Sequence, residues 1–398
     1  MRVLALSSGT SVDAIDVAVA DLTDADGTVR LRPLGHTEVP WPTRLRERLL
    51  AALPPAEVGV GEWCRLDTLA GRAFADAAAH GLAELAEGAA DLVVSHGQTL
   101  YHWVEDGHPR GTLQIGAPAW IHERTGVPVV SDLRSADVAA GGHGAPLVSL
   151  LDHLWLGDRP TAALNVGGIA NITVVGLGDG VLTGDTGPGN CLVDAAVQQL
   201  TGQRYDADGA VAATGRVDAR ALEALLADPF YATAFPRSTG REHFHRDYAA
   251  GRLAAAGLSL AGPDLVATLT ALTARTIADQ ISRHRVERVV VSGGGLHNPV
   301  LMGHLRAALP ARLAVHGATE LGLDADAKEA YLFALLGYLS VRALPGTAPG
   351  AGPPGARATG ARRAAVLGSL TPPAPAPCAP ATTPVTRLVL RTDPQEAP

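Results

Sequence analysis

The chain has 398 residues, 47% of them hydrophobic and 18% charged, with a formal net charge of −8. That is enough apolar material for two cores, and the acidic balance, with no basic stripe to offset it, argues against nucleic acid or an anionic membrane surface as the main partner. Three distant cysteines, Cys64, Cys191 and Cys378, indicate neither a disulfide framework nor a thiolate zinc site. The histidines are scattered, with local pairs at His96/His102 and His243/His245, without the carboxylate or cysteine partners of a metal site. No apolar run approaches the roughly 18 residues that span a bilayer, and the short apolar stretch after Arg2 is no signal-peptide core, so a reducing, cytoplasmic setting is expected.

In chain order, an apolar strand from Val3 to Leu6 leads into a polar loop, Ser7 to Asp16, and a second strand, Val17 to Leu22. In the loop Gly9 frees the backbone to turn, Thr10 and Ser11 offer hydroxyls and amides to phosphate oxygens, and Asp13 and Asp16 suit a hydrated magnesium ion. No Gly-Lys-Ser/Thr follows, so this is not a Walker loop. The same residues would also make a polar hairpin that caps its own turn. Asp26-Gly27 turns the chain back onto Val29 and Leu31, completing an antiparallel meander. Pro42–Leu53 and Leu66–Ala86 have helical periodicity, and Asp91–Ser95 reads as a short buried strand entering a turn at His96-Gly97-Gln98-Thr99.

Strand, turn and strand recur from Ala162 to Val175, with Asn165-Val166-Gly167-Gly168-Ile169-Ala170-Asn171 at the bend. A third glycine turn, Ser292-Gly293-Gly294-Gly295, follows Val289-Val290-Val291 and precedes a helix from Asn298 to Leu309. Helical spacing also covers Leu265 to Ile277 and Ala327 to Val341, with Glu329 near the start of the latter. Such alternation predicts sheets covered by helices. Three glycine turns, each after an apolar strand, suggest a nucleotide clamped between two similarly built halves. Proline becomes frequent after Leu344, so 345–358 reads as a loop and 373–398 as a mostly disordered tail, its apolar island Val385–Leu390 too short to fold alone, with the alternative that it adds a strand to a sheet edge.

The most telling stretch is Gly184-Asp185-Thr186-Gly187-Pro188-Gly189-Asn190, one carboxylate set among glycines. Three glycines and a proline argue against a buried strand, so Asp185 is expected on a turn. It is either the centre of an active site or an ordinary Asp-Thr-Gly turn satisfying its own amides.

These blocks occur together with Ser95-His96-Gly97-Gln98-Thr99, Thr112-Leu113-Gln114-Ile115-Gly116, the run Asp132-Leu133-Arg134-Ser135-Ala136-Asp137 onward to Pro146, Ser238-Thr239-Gly240-Arg241-Glu242 and Asp326-Ala327-Lys328-Glu329-Ala330. In that order, over residues 1–372, the chain resembles the anhydro-N-acetylmuramic acid kinases, sugar kinases of the actin, Hsp70 and hexokinase superfamily. The resemblance implies an α/β, two-domain actin-like ATPase fold of the ribonuclease H-like type with an interdomain nucleotide and sugar cleft. One lobe would comprise 1–135 plus 345–372, the other 136–344.

It further implies ATP with Mg2+, a small sugar as substrate, and water opening the 1,6-anhydro ring of N-acetylmuramic acid as phosphate passes to the released oxygen, a step of peptidoglycan recycling. Asp185 would be the general base, since an unperturbed aspartate, with a pKa of about 3.9, is ionised at neutral pH. Gly9, Thr10, Ser11, Val12, Asp13, Ala14, Ile15, Asp16, Gly167 and Gly168 would hold the nucleotide phosphates, and Gly293, Gly294 and Gly295 its adenosine. Asp13 and Asp16 would hold magnesium through water. Gln98, Thr99, Arg134, Asn165 and Glu329 would meet the sugar, Arg134 taking its lactyl carboxylate by paired hydrogen bonds. Arg134 would alternatively bridge to Asp132 or Asp137, and Glu329 would alternatively cap its own helix. Ala14 stands where the family usually has glycine, which matters if that position needs a positive φ. Cys191 is expected to pack in a wall. Two rivals are a kinase of the same fold acting on an ordinary sugar hydroxyl, opposed by the 132–146 block, and a silent sugar sensor, opposed by retention of Asp13, Asp16 and Asp185. A homodimer is left open.

Overall fold

The computed structural model describes residues 1–9, 11–105, 108–178, 180–235, 237–240, 243–372 and 383–390. Thr10, Arg241, Glu242 and most of the expected tail lie outside the described residues. The strands are β1 (Arg2–Ser8), β2 (Ala14–Ala25), β3 (Thr28–Pro40), β4 (Leu92–Glu105), β5 (His108–Ile115), β6 (Val129–Ser131), β7 (Thr161–Val166), β8 (Ile169–Val175), β9 (Leu182–Pro188), β10 (Arg288–Ser292), β11 (Ala314–Gly317), β12 (Ser369–Thr371) and β13 (Arg387–Leu390). The chain divides into two compact units, the first made of 1–155 and the described residues from Ala327 on, the second of 156–326.

The first unit's sheet has the order β12-β6-β4-β1-β2-β3-β13, with β5 paired to β4. Its β1, β2 and β3 form the expected antiparallel meander, while β4 runs parallel to β1 and β6 parallel to β4. Asp26 and Gly27 take φ of 51° and 74°, the left-handed pair that a two-residue hairpin requires. Helix Val60–Leu85 buries Leu66, Phe74 and Ala78 with Leu4, Leu6, Val17 and Val19 of the sheet. Helix Lys328–Val341 packs on β1, β2 and β4 and is buried almost all round, as its continuous apolar sequence dictates.

The second unit's sheet has the order β11-β10-β7-β8-β9. Here β7, β8 and β9 form the antiparallel meander, β10 is parallel to β7, and β11 is parallel to β10. Each unit thus has the strand order of the ribonuclease H-like fold. One core lies between this sheet and helices Gly262–Ile281 and Pro299–Ala308. Another joins helices Cys191–Thr201, Ala219–Leu226 and Tyr248–Ala255. Among the described residues no helix is long and apolar enough to cross a membrane.

Three expectations change. The boundaries expected at 135/136 and 344/345 fall instead at 155/156 and 326/327. Residues after Arg134 stay in the first unit because buried Asp137 accepts from Gly144 N at 2.8 Å and from Thr359 Oγ1 at 2.7 Å. Helix Lys328–Val341 stays because it covers the first sheet, its Lys328 in a buried ion pair with Asp152 at 2.6 Å. Second, His96-Gly97-Gln98-Thr99 is not a turn. Strand β4 continues through it with a bulge, Ser95 pairing with Leu6 but Gln98 with Ser8, and Gly97 supplies the φ of 75°. Third, the apolar island does not belong to a disordered tail but takes the alternative of an added edge strand: β13 pairs parallel with β3 from Thr28 to Leu31, and Leu388 is only 2% exposed. A 13-residue strand at a sheet edge offers unpaired backbone groups, which gives a short apolar run a partner that it lacks alone.

Candidate functional site

In the second unit, the sheet register sets a row of polar residues. Asn165 of β7 lies opposite Ser292 of β10 and Asn171 of β8, and Asn171 lies opposite Asp185 of β9. Directly opposed residues project from the same face of a sheet, so Asn165, Asn171 and Asp185 share one face. All three are half-buried. The Gly167-Gly168 turn borders the row. Its carbonyls point inward, Gly167 O accepting from Asn190 N at 2.8 Å and Gly168 O from Gly189 N at 2.9 Å and Cys191 N at 3.1 Å. Since N–H and C=O of a trans peptide point opposite ways, the Gly168 amide faces away from that segment. At the end of β10, Gly293 takes a φ of 82°, and a Cβ there would lie 2.6 Å from Asn165 Oδ1. Gly295 packs against Val166, and Asn298 then caps helix Pro299–Ala308 through its Oδ1.

Asp185 is on strand β9, not on the expected turn. The glycines serve close approach: a Cβ at Gly184 would meet the Phe235 ring at 2.8 Å, and one at Gly189 would meet Gly167 O at 2.3 Å. The edge position of β9 tolerates Pro188. Along its outer side Asp185 N donates to Arg237 O at 3.0 Å. Buried Arg237 donates to the carbonyls of Asp185, Thr186, Phe230 and Thr233 at 2.8 to 3.0 Å and lies over the Phe230 ring. This clamp aims Thr239 N and Ser238 Oγ at Asp185 Oδ2, at 2.8 and 3.1 Å. Neighbouring Cys191 is buried, its Sγ–H directed to Phe244 O at 3.7 Å, which fits the expected wall packing.

The first unit carries the other sequence-predicted residues. Val12 N and Gln98 Nε2 both donate to Gly9 O, at 3.1 and 3.2 Å, drawing the first loop inward. Val12 has a φ of 53° and a fully buried side chain. A β-branched residue in that conformation is strained by about 1–3 kcal/mol, and Arg46 secures it by donating to Val12 O at 2.7 Å while reaching Asp13 Oδ1 at 3.2 Å. Ala14 opens β2 opposite Pro40, outside the positive-φ region, so its replacement of glycine leaves the loop unstrained there. The side chains of Val12 and Ile15 belong to the core, which leaves only their backbone to face a ligand.

Buried Gln98 keeps an Oε1 without a hydrogen-bond partner among the described residues, beside Ser7 and Ser95 hydroxyls in the same condition. Buried acceptors of this kind are normally satisfied. Thr99 Oγ1 accepts from Gln114 at 3.2 Å. Arg134 donates through Nε to His96 Nε2 at 2.8 Å and through Nη1 to Gly144 O at 2.5 Å, and not to Asp132 or Asp137 as its alternative reading had it. Glu329, in the first turn of its helix, does not act as its cap. Its side chain is accessible, yet desolvation by the surrounding protein raises its pKa, with Arg134 opposing and Asp16 adding to the rise.

Asp13 and Asp16 are hard oxygen donors, Asp13 shared with Arg46 and Asp16 with His36 at 3.4 Å. Among the described residues no group of three or more His, Cys, Asp or Glu could hold a metal. Two carboxylates alone do not complete a cage of protein ligands.

Sequence reasoning missed Asn171, Arg237 and His96 as site residues. Asn171 had a signal, since it and Asn165 are symmetric about Gly168. The clamp made by Arg237 had none.

The family described as anhydro-N-acetylmuramic acid kinase matches residues 1–373 of the chain. The anhydro-N-acetylmuramic acid kinase of Streptomyces coelicolor is 54% identical over 377 residues, covering 94% of each chain. That of Rhodococcus erythropolis is 51% identical over 384 residues, again covering 94% of each. That of Xanthomonas campestris pv. campestris is 43% identical over 376 residues, covering 93% of this chain and 97% of its own.

Proposed function

This chain belongs to the anhydro-N-acetylmuramic acid kinase family, and we propose that it uses ATP to convert 1,6-anhydro-N-acetylmuramic acid into N-acetylmuramic acid 6-phosphate in the recycling of peptidoglycan. A 1,6-anhydro sugar has no free hydroxyl at position 6, because that oxygen is tied to the anomeric carbon. Asp185 takes a proton from water as the water oxygen bonds to the anomeric carbon. The bond from that carbon to O6 breaks, its electron pair stays on O6, and O6 attacks the γ-phosphorus of ATP as ADP leaves.

The observation that carries this reading is a single carboxylate, Asp185, held by Thr239 N–H and Ser238 Oγ on the polar row with Asn165 and Asn171. Held so, one group meets one water in one orientation. The Gly168 amide and the first loop, Gly9 to Asp16, bind phosphate oxygens. The Gly293 turn borders the adenosine, and Arg134, Gln98, Thr99, Asn165 and Glu329 bind the sugar. Asp16 and Asp13 would hold hydrated Mg2+, which would supply positive charge against the negative charge that develops in phosphoryl transfer. Reliance on ATP supports a place in the cytoplasm.

Turnover in heavy-oxygen water tests the reaction. Mass spectrometry is expected to find the label at the anomeric position of the sugar product and none in its phosphate. Label in inorganic phosphate would reveal plain ATP hydrolysis and overturn the proposal.

A further inference from the structure

We infer that His96 is a positioning residue, a neutral imidazole that sets the plane of the Arg134 guanidinium for the sugar carboxylate. The inference rests on the proposal that Arg134 binds that carboxylate. His96 sits on β4 just before the bulge, 5% exposed and stacked on Phe333 with ring centroids 4.4 Å apart. Its Nδ1 is 3.0 Å from Gly97 O, which only accepts, so Nδ1 carries the hydrogen. Its Nε2 is 2.8 Å from Arg134 Nε, which only donates, so Nε2 offers its lone pair. Both neighbours dictate the same tautomer. A proton added at Nε2 would face the Arg134 N–H beside a full positive charge, and burial together with Arg134 holds the His96 pKa well below its usual value.

Gly144 O, accepting from Nη1, is the second anchor of Arg134. Two anchors fix the guanidinium plane, and a fixed plane is what lets a guanidinium meet a carboxylate with two parallel bonds. The choice of histidine is functional in this light. A carboxylate at position 96 would hold Arg134 as firmly but would cancel its charge. A neutral imidazole holds the arginine and leaves its charge for the sugar.

Steady-state kinetics of Arg134→Ala, His96→Gln and His96→Asn test this, on the natural sugar and on the 1,6-anhydro sugar lacking the lactyl group. In His96→Gln, Oε1 reaches the place of Nε2 and still accepts from Arg134. In His96→Asn the shorter amide keeps a donor for Gly97 O but does not reach Arg134. Arg134→Ala is expected to raise the sugar KM by about 30-fold or more, His96→Asn by about 10-fold, and His96→Gln by less than about 3-fold, all with the KM for ATP unchanged within about 2-fold. On the analogue without a carboxylate, the penalty of His96→Asn should fall below about 2-fold. An unchanged sugar KM in Arg134→Ala would overturn the role of Arg134 itself. If Arg134→Ala raises the KM but His96→Asn and His96→Gln behave alike, or the penalty persists on the analogue, His96 only packs and the inference fails. Should His96→Asn not fold, His96→Gln decides alone: a rise above about 10-fold overturns the inference.

Discussion

The two units share one strand order, yet they treat the outer edge of the third strand differently. In the first unit the edge of β3 is covered by another strand, β13, in a regular parallel ladder. In the second the edge of β9 is covered by the Arg237 to Thr239 segment, joined to Asp185 and Thr186 by backbone and guanidinium bonds. Both solutions satisfy the unpaired N–H and C=O groups of an exposed edge. A strand does so with a uniform ladder and leaves nothing for chemistry. An irregular segment satisfies the edge and also aims an amide and a hydroxyl at one carboxylate. The same topology thus yields a regular wall in one unit and an edge that grips a carboxylate in the other.

The contrast breaks first at Asp185. Asp185→Asn keeps the shape and removes the proposed base, so kcat should fall by about 100-fold or more while calorimetry finds nucleotide affinity unaltered. Turnover within a few-fold of the parent would leave the gripped carboxylate without that role. Next comes the clamp: Arg237→Ala removes the guanidinium from four carbonyls, of which Phe230 O keeps Thr233 N as a donor, with an expected loss of about 2–3 kcal/mol in urea unfolding and about 10-fold in kcat. A loss of stability with kcat intact would mean that the clamp only closes the edge, as β13 does. Truncation after residue 382 removes β13 and uncovers the surface buried by Leu388, so it should cost about 2 kcal/mol yet leave kcat within about 2-fold. A melting temperature unmoved by that truncation would show that β3 needs no cover. The smallest effect belongs to Ala14→Gly, which adds backbone freedom at the start of β2 and should cost less than about 1 kcal/mol with the KM for ATP unchanged within about 2-fold. A markedly lower KM for ATP would restore the idea that this position wants glycine.

The opening meander and the strands that lead into the glycine turns were legible because apolar runs, Asp26-Gly27 and the turns themselves punctuate the chain at the right places, whereas the order of strands in each sheet was not read from the residues. Asp185 stood out for the same reason, but its glycines pointed to a turn when they in fact admit Phe235 and the Gly167 carbonyl, neighbours far away in sequence. The clamp was hidden because all four carbonyls that Arg237 reaches are backbone, which carries no sequence signature. Helix Lys328–Val341 was recognisable as a helix, but a helix apolar on nearly every side does not say which sheet it will cover. Val385–Leu390 was visible as apolar, and only its pairing with β3, across almost the whole chain, makes it a strand. Asn171 needed just the hairpin register to be placed beside Asp185.

The discontinuity of the first unit fixes an order of events during synthesis. All of the second unit is continuous in the chain, from 156 to 326, and has every strand and helix it needs once residue 326 has left the ribosome. The first unit, although its β1 emerges before anything else, still lacks the helix Lys328–Val341 that roofs its sheet and the strand β13 that finishes its edge. At roughly 5–20 residues per second, its opening meander waits many seconds for these last pieces. The part translated first is therefore completed last, and a nascent chain paused beyond residue 326 would already hold the aspartate-bearing unit while the other stays unroofed.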